Sequence, residues 1–278
     1  MKFTNIDGGL LLTECKNFDP FVSCECGQCF RFEKISDSEY ELFACGRRLS
    51  IRSAENGWYF SDIDEREFRA SFLPYFDLDR DYGEIIDSFS GDAAISKAAV
   101  SGGGIRIFRQ DPWETIVSFI ISANNNIPRI KKIINSLCRL LGEESNGFYS
   151  FPTPEAILNA GLDGLAPIKA GFRTKYIIDA ASRVVSGEVD LDRIAVCGYD
   201  AALAELKRIK GIGDKVANCV LLFGFGYYEA FPVDVWVKRV IGKYYDDSFD
   251  PRSLGKYAGI AQQYLFYYER SILGSDGE

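Results

Sequence analysis

Between Gln28 and Phe60 apolar and polar positions alternate in short runs, Cys29-Phe30-Arg31-Phe32, Tyr40-Glu41-Leu42-Phe43-Ala44, Leu49-Ser50-Ile51-Arg52 and Trp58-Tyr59-Phe60, separated by polar or Gly positions. A period of two with aromatic enrichment predicts an antiparallel sheet with one face wet. From Asp62 to Phe72 and from Asp79 to Phe89 the spacing becomes that of two surface helices, and Val100-Ser101-Gly102-Gly103-Gly104 reads as a joint. Beyond it the period is helical throughout. Asp111-Pro112-Trp113-Glu114 sets a capping Asp before a first-turn Pro, with Glu three residues after the cap, and further starts stand at Pro128, Thr153-Pro154, Phe172-Arg173-Thr174, Asp200, Gly213-Asp214, Pro232-Val233-Asp234 and Asp250-Pro251. The pattern predicts an α+β chain: an N-terminal antiparallel β-rich domain with flanking helices over residues 1–105, then a mainly α domain of seven or eight helices over 106–278.

Composition narrows the chemistry. The chain has no histidine, so Ser-His and Cys-His nucleophile pairs and His-containing metal sites are excluded, and acid-base or covalent work falls to Lys, Asp, Glu, Tyr or Cys. The net charge of -8 argues against a nucleic-acid partner until it is divided: residues 1–105 hold 11 basic and 19 acidic side chains, residues 106–278 hold 21 of each. In the second part the cations clump, as in Lys169, Arg173 and Lys175, or Lys207, Arg208, Lys210 and Lys215. Solvated helix faces account for most such clumps; local anion sites are the alternative. The eight cysteines read as reduced thiols of a cytoplasmic protein, since there is no secretory pattern and no apolar run of membrane-spanning length. Cys24, Cys26 and Cys29 have the wrong spacing for a zinc knuckle, so no metal is expected.

The most informative stretch runs from Ala204 to Val240: an amphipathic helix ending at Lys210, a Gly211-Ile212-Gly213 hairpin, and a helix opening Asp214-Lys215-Val216-Ala217-Asn218-Cys219. This helix-hairpin-helix, at about 200–225, presents backbone N–H groups that can hold a phosphate with little help from net charge. Lys215 lies where the helix dipole disfavours a cation, which suits an amine nucleophile better than a surface lysine. Cys219 shares its face. Asp234, 19 residues on, caps the next helix, where the dipole favours a carboxylate able to offset positive charge on a sugar.

Lys210-Gly211-Ile212-Gly213-Asp214-Lys215 followed by Pro232-Val233-Asp234 resembles the helix-hairpin-helix and Gly/Pro-Asp signature of base-excision DNA glycosylases. With Gly27-Gln28-Cys29-Phe30-Arg31, Arg109-Gln110-Asp111-Pro112, Ser122-Ala123-Asn124-Asn125-Asn126, Gly171-Phe172-Arg173-Thr174-Lys175-Tyr176 and Ala258-Gly259-Ile260-Ala261-Gln262-Gln263, the chain is similar over about 240 residues to the 8-oxoguanine DNA glycosylase/AP lyase family. The resemblance implies a bifunctional repair enzyme. Lys215 would attack C1′ and hold the sugar as a Schiff base, and Asp234 would assist, with Pro232 beside it. The Gly27 carbonyl, Gln262, Phe266 and Cys219 would read an extruded base. Asn124, Arg129 and Arg173 would hold the opposite cytosine, with Phe172 as a wedge where animal enzymes carry tyrosine; Trp236 stands where those enzymes have histidine. Gly211 and Gly213 would approach the DNA backbone.

The expected partner is duplex DNA containing 8-oxoguanine, bound by a monomer that requires no cofactor; whether a monovalent cation sits at the hairpin is left open by the sequence. Two other readings stay open: a glycosylase of the same superfamily for another lesion, which the lack of cysteines after Cys219 for an iron-sulfur cluster argues against, and a non-catalytic helix-hairpin-helix DNA-binding module, which needs neither Lys215 nor Asp234.

Overall fold

A computed structural model of the chain describes residues 1–246 and 248–275. Six strands, β1 (Lys2–Ile6), β2 (Gly9–Thr13), β3 (Phe32–Ser36), β4 (Glu39–Ala44), β5 (Arg47–Ala54) and β6 (Gly57–Ser61), form one antiparallel sheet in the order β1-β2-β6-β5-β4-β3. Alternation sends Leu10, Leu12, Tyr40, Leu42, Leu49, Ile51 and Phe60 to one face, each at most 2% exposed, with Leu10 opposite Phe60 and Leu42 opposite Leu49. That face is covered by α2 (Glu65–Tyr75), whose Phe68 ring lies 4.6 Å from Phe60.

The other early helices are α1 (Pro20–Glu25), α3 (Tyr82–Ser88) and α4 (Ala93–Ser101). The remainder holds α5 (Pro112–Ser122), α6 (Ile127–Leu141), a two-strand ribbon of β7 (Glu144–Ser145) and β8 (Phe148–Tyr149), α7 (Pro154–Leu165), α8 (Arg173–Val185), α9 (Leu191–Val196), α10 (Tyr199–Leu206), α11 (Asp214–Phe225), α12 (Val235–Tyr244) and α13 (Ala258–Ser275). Ile85, Ile95 and Ala98 of α3 and α4 pack into the helical core, while Phe108 packs under the sheet. Buried Arg106 joins the two layers, donating to the carbonyls of Lys16, Asn17, Asp77 and Arg80.

The α+β class and the antiparallel sheet are as the alternation predicts, but the details differ. The sheet also includes the β1–β2 hairpin. β3 begins only at Phe32, so Cys29 to Arg31 precede the strand, and α1, α4 and the short α9 were not anticipated. Nine α-helices follow residue 105 among the described residues, and Asp250-Pro251 opens a 3-10 helix instead of an α-helix. The helix before the hairpin ends at Leu206; turns at Lys207, Arg208, Ile209 and Ile212 carry the chain on, because one turn must tighten to reach the hairpin glycines.

Candidate active site

α5 and α11 approach closely at Gly224, where a Cβ would stand 3.2 Å from Thr115 and 3.3 Å from Pro112. The contact stacks Phe119 on Phe223 at 5.5 Å and leaves the Lys215 ammonium 5.3 Å from the Phe119 ring centre. Lys215 is half-buried in the first turn of α11, beside the Cys219 thiol. No carboxylate forms an ion pair with it among the described residues. Burial pushes the Cys219 thiol up, the Lys215 charge pulls it down, and the Asp234 charge raises it, so one buried sulfur feels both the amine and the carboxylate.

Asp234 is the N-cap of α12 and accepts from the N–H groups of Trp236, at 2.9 Å, and Val237, at 2.8 Å. The segment leading to it, with Pro232 buried, is fixed by Asn218, three residues after Lys215. Its Oδ1 accepts from the Phe231 N–H at 3.1 Å and the Tyr199 hydroxyl at 2.7 Å, while its Nδ2 donates to the Asp214 carbonyl. Asn218 was legible only as part of the hairpin motif, with no role attached.

The hairpin turns on Gly211, at φ +87, and packs its backbone on Tyr176 of α8. The N–H of Ile212 is taken by the Ile209 carbonyl, but those of Gly211, Gly213, Asp214 and Lys215 donate to nothing among the described residues. Three of the four cations expected as a basic clump are neutralised: Lys207 pairs with Asp214, Arg208 with Glu205 and Glu188, and Lys210 with Asp179. An anion here meets backbone donors, with no cluster of free lysines behind them.

Gly27 (φ +83) faces Phe266, whose ring lies 3.3 Å from where a Cβ would be. Around it the carbonyls of Glu25, Cys26 and Gln28 accept from Arg270, Gln263 and Gln110 respectively. The Gly27 carbonyl accepts nothing among the described residues. One turn before Phe266 on α13, Gln262 is 3% exposed, and its Oε1 is the one buried side-chain N or O atom without a partner among the described residues. Phe266 and Val233 pack on the cluster of Phe231, Val237 and Ala258, which joins the surroundings of Gly27 to the Asp234 segment.

On a further face, Arg173 is 4% exposed and donates to the Ala123 carbonyl at 2.9 Å through Nε and to the Asn124 carbonyl at 2.8 Å through Nη2. It therefore shapes the Asn124 loop, where Asn124 has φ +49; only Nη1, in a long 3.4 Å contact with Ala170, is loosely held. Burial, then the charge of Arg129, depresses its pKa. Arg129 and Asn124 are exposed, as is Phe172 at 57%, its ring edge-on to Tyr176 at 5.9 Å. Trp236 carries the Arg239 guanidinium 4.9 Å above its ring.

Two family models cover this geometry, one described as the 8-oxoguanine DNA glycosylase N-terminal domain over residues 10–116, the other as the HhH-GPD superfamily base excision DNA repair protein over 117–252. A probable N-glycosylase/DNA lyase of Methanothermobacter thermautotrophicus is 32% identical over 76% of this chain and 78% of its own. The chain belongs to the 8-oxoguanine DNA glycosylase family. Among solved family members, the 8-oxoguanine glycosylase/lyase of Clostridium acetobutylicum, in complex with double-stranded DNA containing cytosine opposite 8-oxoguanine, is 36% identical with a TM-score of 0.91, covering 98% of this chain and 99% of that one. The Saccharomyces cerevisiae N-glycosylase/DNA lyase is 33% identical over 67% of this chain and 54% of its own. Among the described residues of this family member, no group of three or more His, Cys, Asp or Glu side chains could hold a metal.

Proposed function

We propose that this chain removes 8-oxoguanine from duplex DNA and then nicks the strand at the abasic site. The observation that carries the reading is a pair of acceptors without partners among the described residues, the carbonyl of Gly27, which faces Phe266, and Oε1 of Gln262, one turn before Phe266 on α13. 8-Oxoguanine presents N–H donors on its Watson-Crick edge and at N7; guanine presents a lone pair at N7 that would face the Gly27 oxygen unfavourably. An extruded base stacked on Phe266 would satisfy both acceptors. The neutral amine of Lys215 attacks C1′, the N-glycosidic bond breaks, and the base leaves with a proton. Ring opening gives the iminium, loss of a C2′ proton expels the 3′ phosphate, and water releases the amine. Asp234 offsets the positive charge on the sugar as the base departs.

The free N–H groups of the hairpin and of the first turn of α11 would seat a phosphate. A monovalent cation would lie against the carbonyls of Gly211 and Ile212, which accept no hydrogen bond among the described residues. Arg129, the Asn124 loop held by Arg173, and Phe172 would meet the opposite strand, and Cys219 would line the base pocket beside Lys215. Eight free cysteines support a reducing, cytoplasmic setting, and we assign a monomer. Borohydride added to protein and labelled duplex containing 8-oxoguanine should trap a covalent complex, and Lys215→Gln should abolish it. No trapped species overturns the reading, trapping only on oxidised pyrimidines moves it to another lesion, and the series of four opposite bases measures what Arg129 and Arg173 enforce.

A further inference from the structure

Arginine, glutamine and glutamine again hold the carbonyls on either side of Gly27, and the middle bond is the most deeply buried. Gln263, 2% exposed, sends Nε2 to the Cys26 carbonyl at 2.5 Å. Gln263 adjoins Gln262 and lies three residues before Phe266, so one rigid helix carries the acceptor for the Watson-Crick edge, the ring beneath the base and the donor that holds the Gly27 peptide. Gly27 has positive φ and no strand or helix ladder of its own, so its carbonyl direction is set by neighbours. On the far side Gln28 is locked by its own side chain, which donates to the Ser23 and Arg106 carbonyls and accepts from the Phe108 N–H. That anchor belongs to the α1 and Arg106 framework; Gln263 alone ties the loop to the helix that reads the base through a buried bond.

We propose that Gln263 is a positioning residue for lesion selectivity, fixing the distance between the Gly27 carbonyl and Gln262 so that only a base with a donor at N7 satisfies both. The proposal rests on the 8-oxoguanine reading above. A carbonyl aimed by a hydrogen bond at 2.5 Å loses that aim when the donor is removed, and the Cys26 carbonyl is then left buried and unpaired, free to draw the loop elsewhere. Strand cleavage at a preformed abasic site uses Lys215 and has no base to read.

The test compares wild type, Gln263→Met, which keeps the volume without the donor, and Gln263→Ala, by single-turnover excision of 8-oxoguanine opposite cytosine and by cleavage of a preformed abasic site, with thermal melting alongside. Loss of one aimed hydrogen bond should slow excision about 10- to 100-fold in both variants while abasic-site cleavage changes less than about threefold. Equal slowing of both reactions, including by a variant that melts early or fails to fold, marks a purely structural residue and overturns the proposal, as does unchanged excision. If wild type cleaves abasic DNA yet leaves 8-oxoguanine in place, it is the substrate reading that fails.

Discussion

Tyr176 packs against Gly211, so close that a Cβ on the glycine would stand 2.4 Å from the ring. The hairpin backbone thus rests on the same tyrosine that supports the exposed Phe172, and the loop before Lys215 and the Phe172 ring share one foundation. Gly213, at ordinary φ, has open space around it. Gly211→Ala should therefore destabilise the fold by about 1–3 kcal/mol in thermal melts. Gly213→Ala should melt like wild type yet bind abasic duplex more weakly, because its methyl keeps a phosphate from the free N–H groups. Equal effects on stability from the two substitutions would contradict the packing described.

Substitution separates the helix cap that Asp234 forms from the catalytic role proposed for it. Asparagine caps helices as well as aspartate, so Asp234→Asn should leave the melting temperature within a degree or two while slowing excision about a hundredfold or more. Asp234→Ala should lose the activity and also about 1 kcal/mol of stability. Near-wild-type excision by the asparagine variant would remove the carboxylate's charge from the mechanism.

The unpaired Gln262 Oε1 carries a cost in the free protein. Gln262→Leu should raise stability by about 1 kcal/mol, since a buried acceptor without a partner is replaced by apolar surface, while excision of 8-oxoguanine falls. A variant that is both less stable and equally active would show that the oxygen is satisfied in solution and idle in recognition.

Alkaline stability is set in part by the inner thiols. Burial pushes Cys26 and Cys138 up to about 12 from an ordinary value of 9.0. Below pH 9 both states keep these protons, so nothing is lost. Between pH 9 and 12 the unfolded chain ionises and the folded one does not, so stability falls with rising pH, by up to ~4 kcal/mol per thiol. Urea midpoints across that range should decline steeply for wild type and less so for Cys138→Ala; parallel curves would mean that the thiol reaches solvent.

The helical half was legible because its helices announce themselves chemically: Asp111, Asn126, Thr153 and Asp234 all cap where a capping residue precedes an apolar period. The β1–β2 hairpin was not, because Leu10-Leu11-Leu12 hides its alternation by placing an apolar residue on the half-exposed face too. The candidate site residues were found through separated motifs, but the bonds that hold them were not. Gln28, Gln110, Asn218 and Gln263 are neutral amides whose partners are backbone carbonyls, N–H groups and a hydroxyl far away in sequence, and no spacing rule marks such a residue. At the hairpin the preference for solvated charge over an anion site agrees with the pairing seen, but the partners were not legible, since Asp179, Asp214 and the two glutamates that cancel the clump are read as unrelated charges until the chain is folded.

The bond from Gln263 to Cys26 spans 237 residues. On the ribosome the hairpin bearing Lys215 emerges, and can pack against α5, before α13 exists; the loop at Gly27 waits for its partner until those 237 further residues have been made. The helix-hairpin-helix around Lys215 can therefore be in place earlier than the helix that carries Gln262, Gln263 and Phe266, and the contact of that helix with the Gly27 loop is a long-range closure that folding theory expects to be slow.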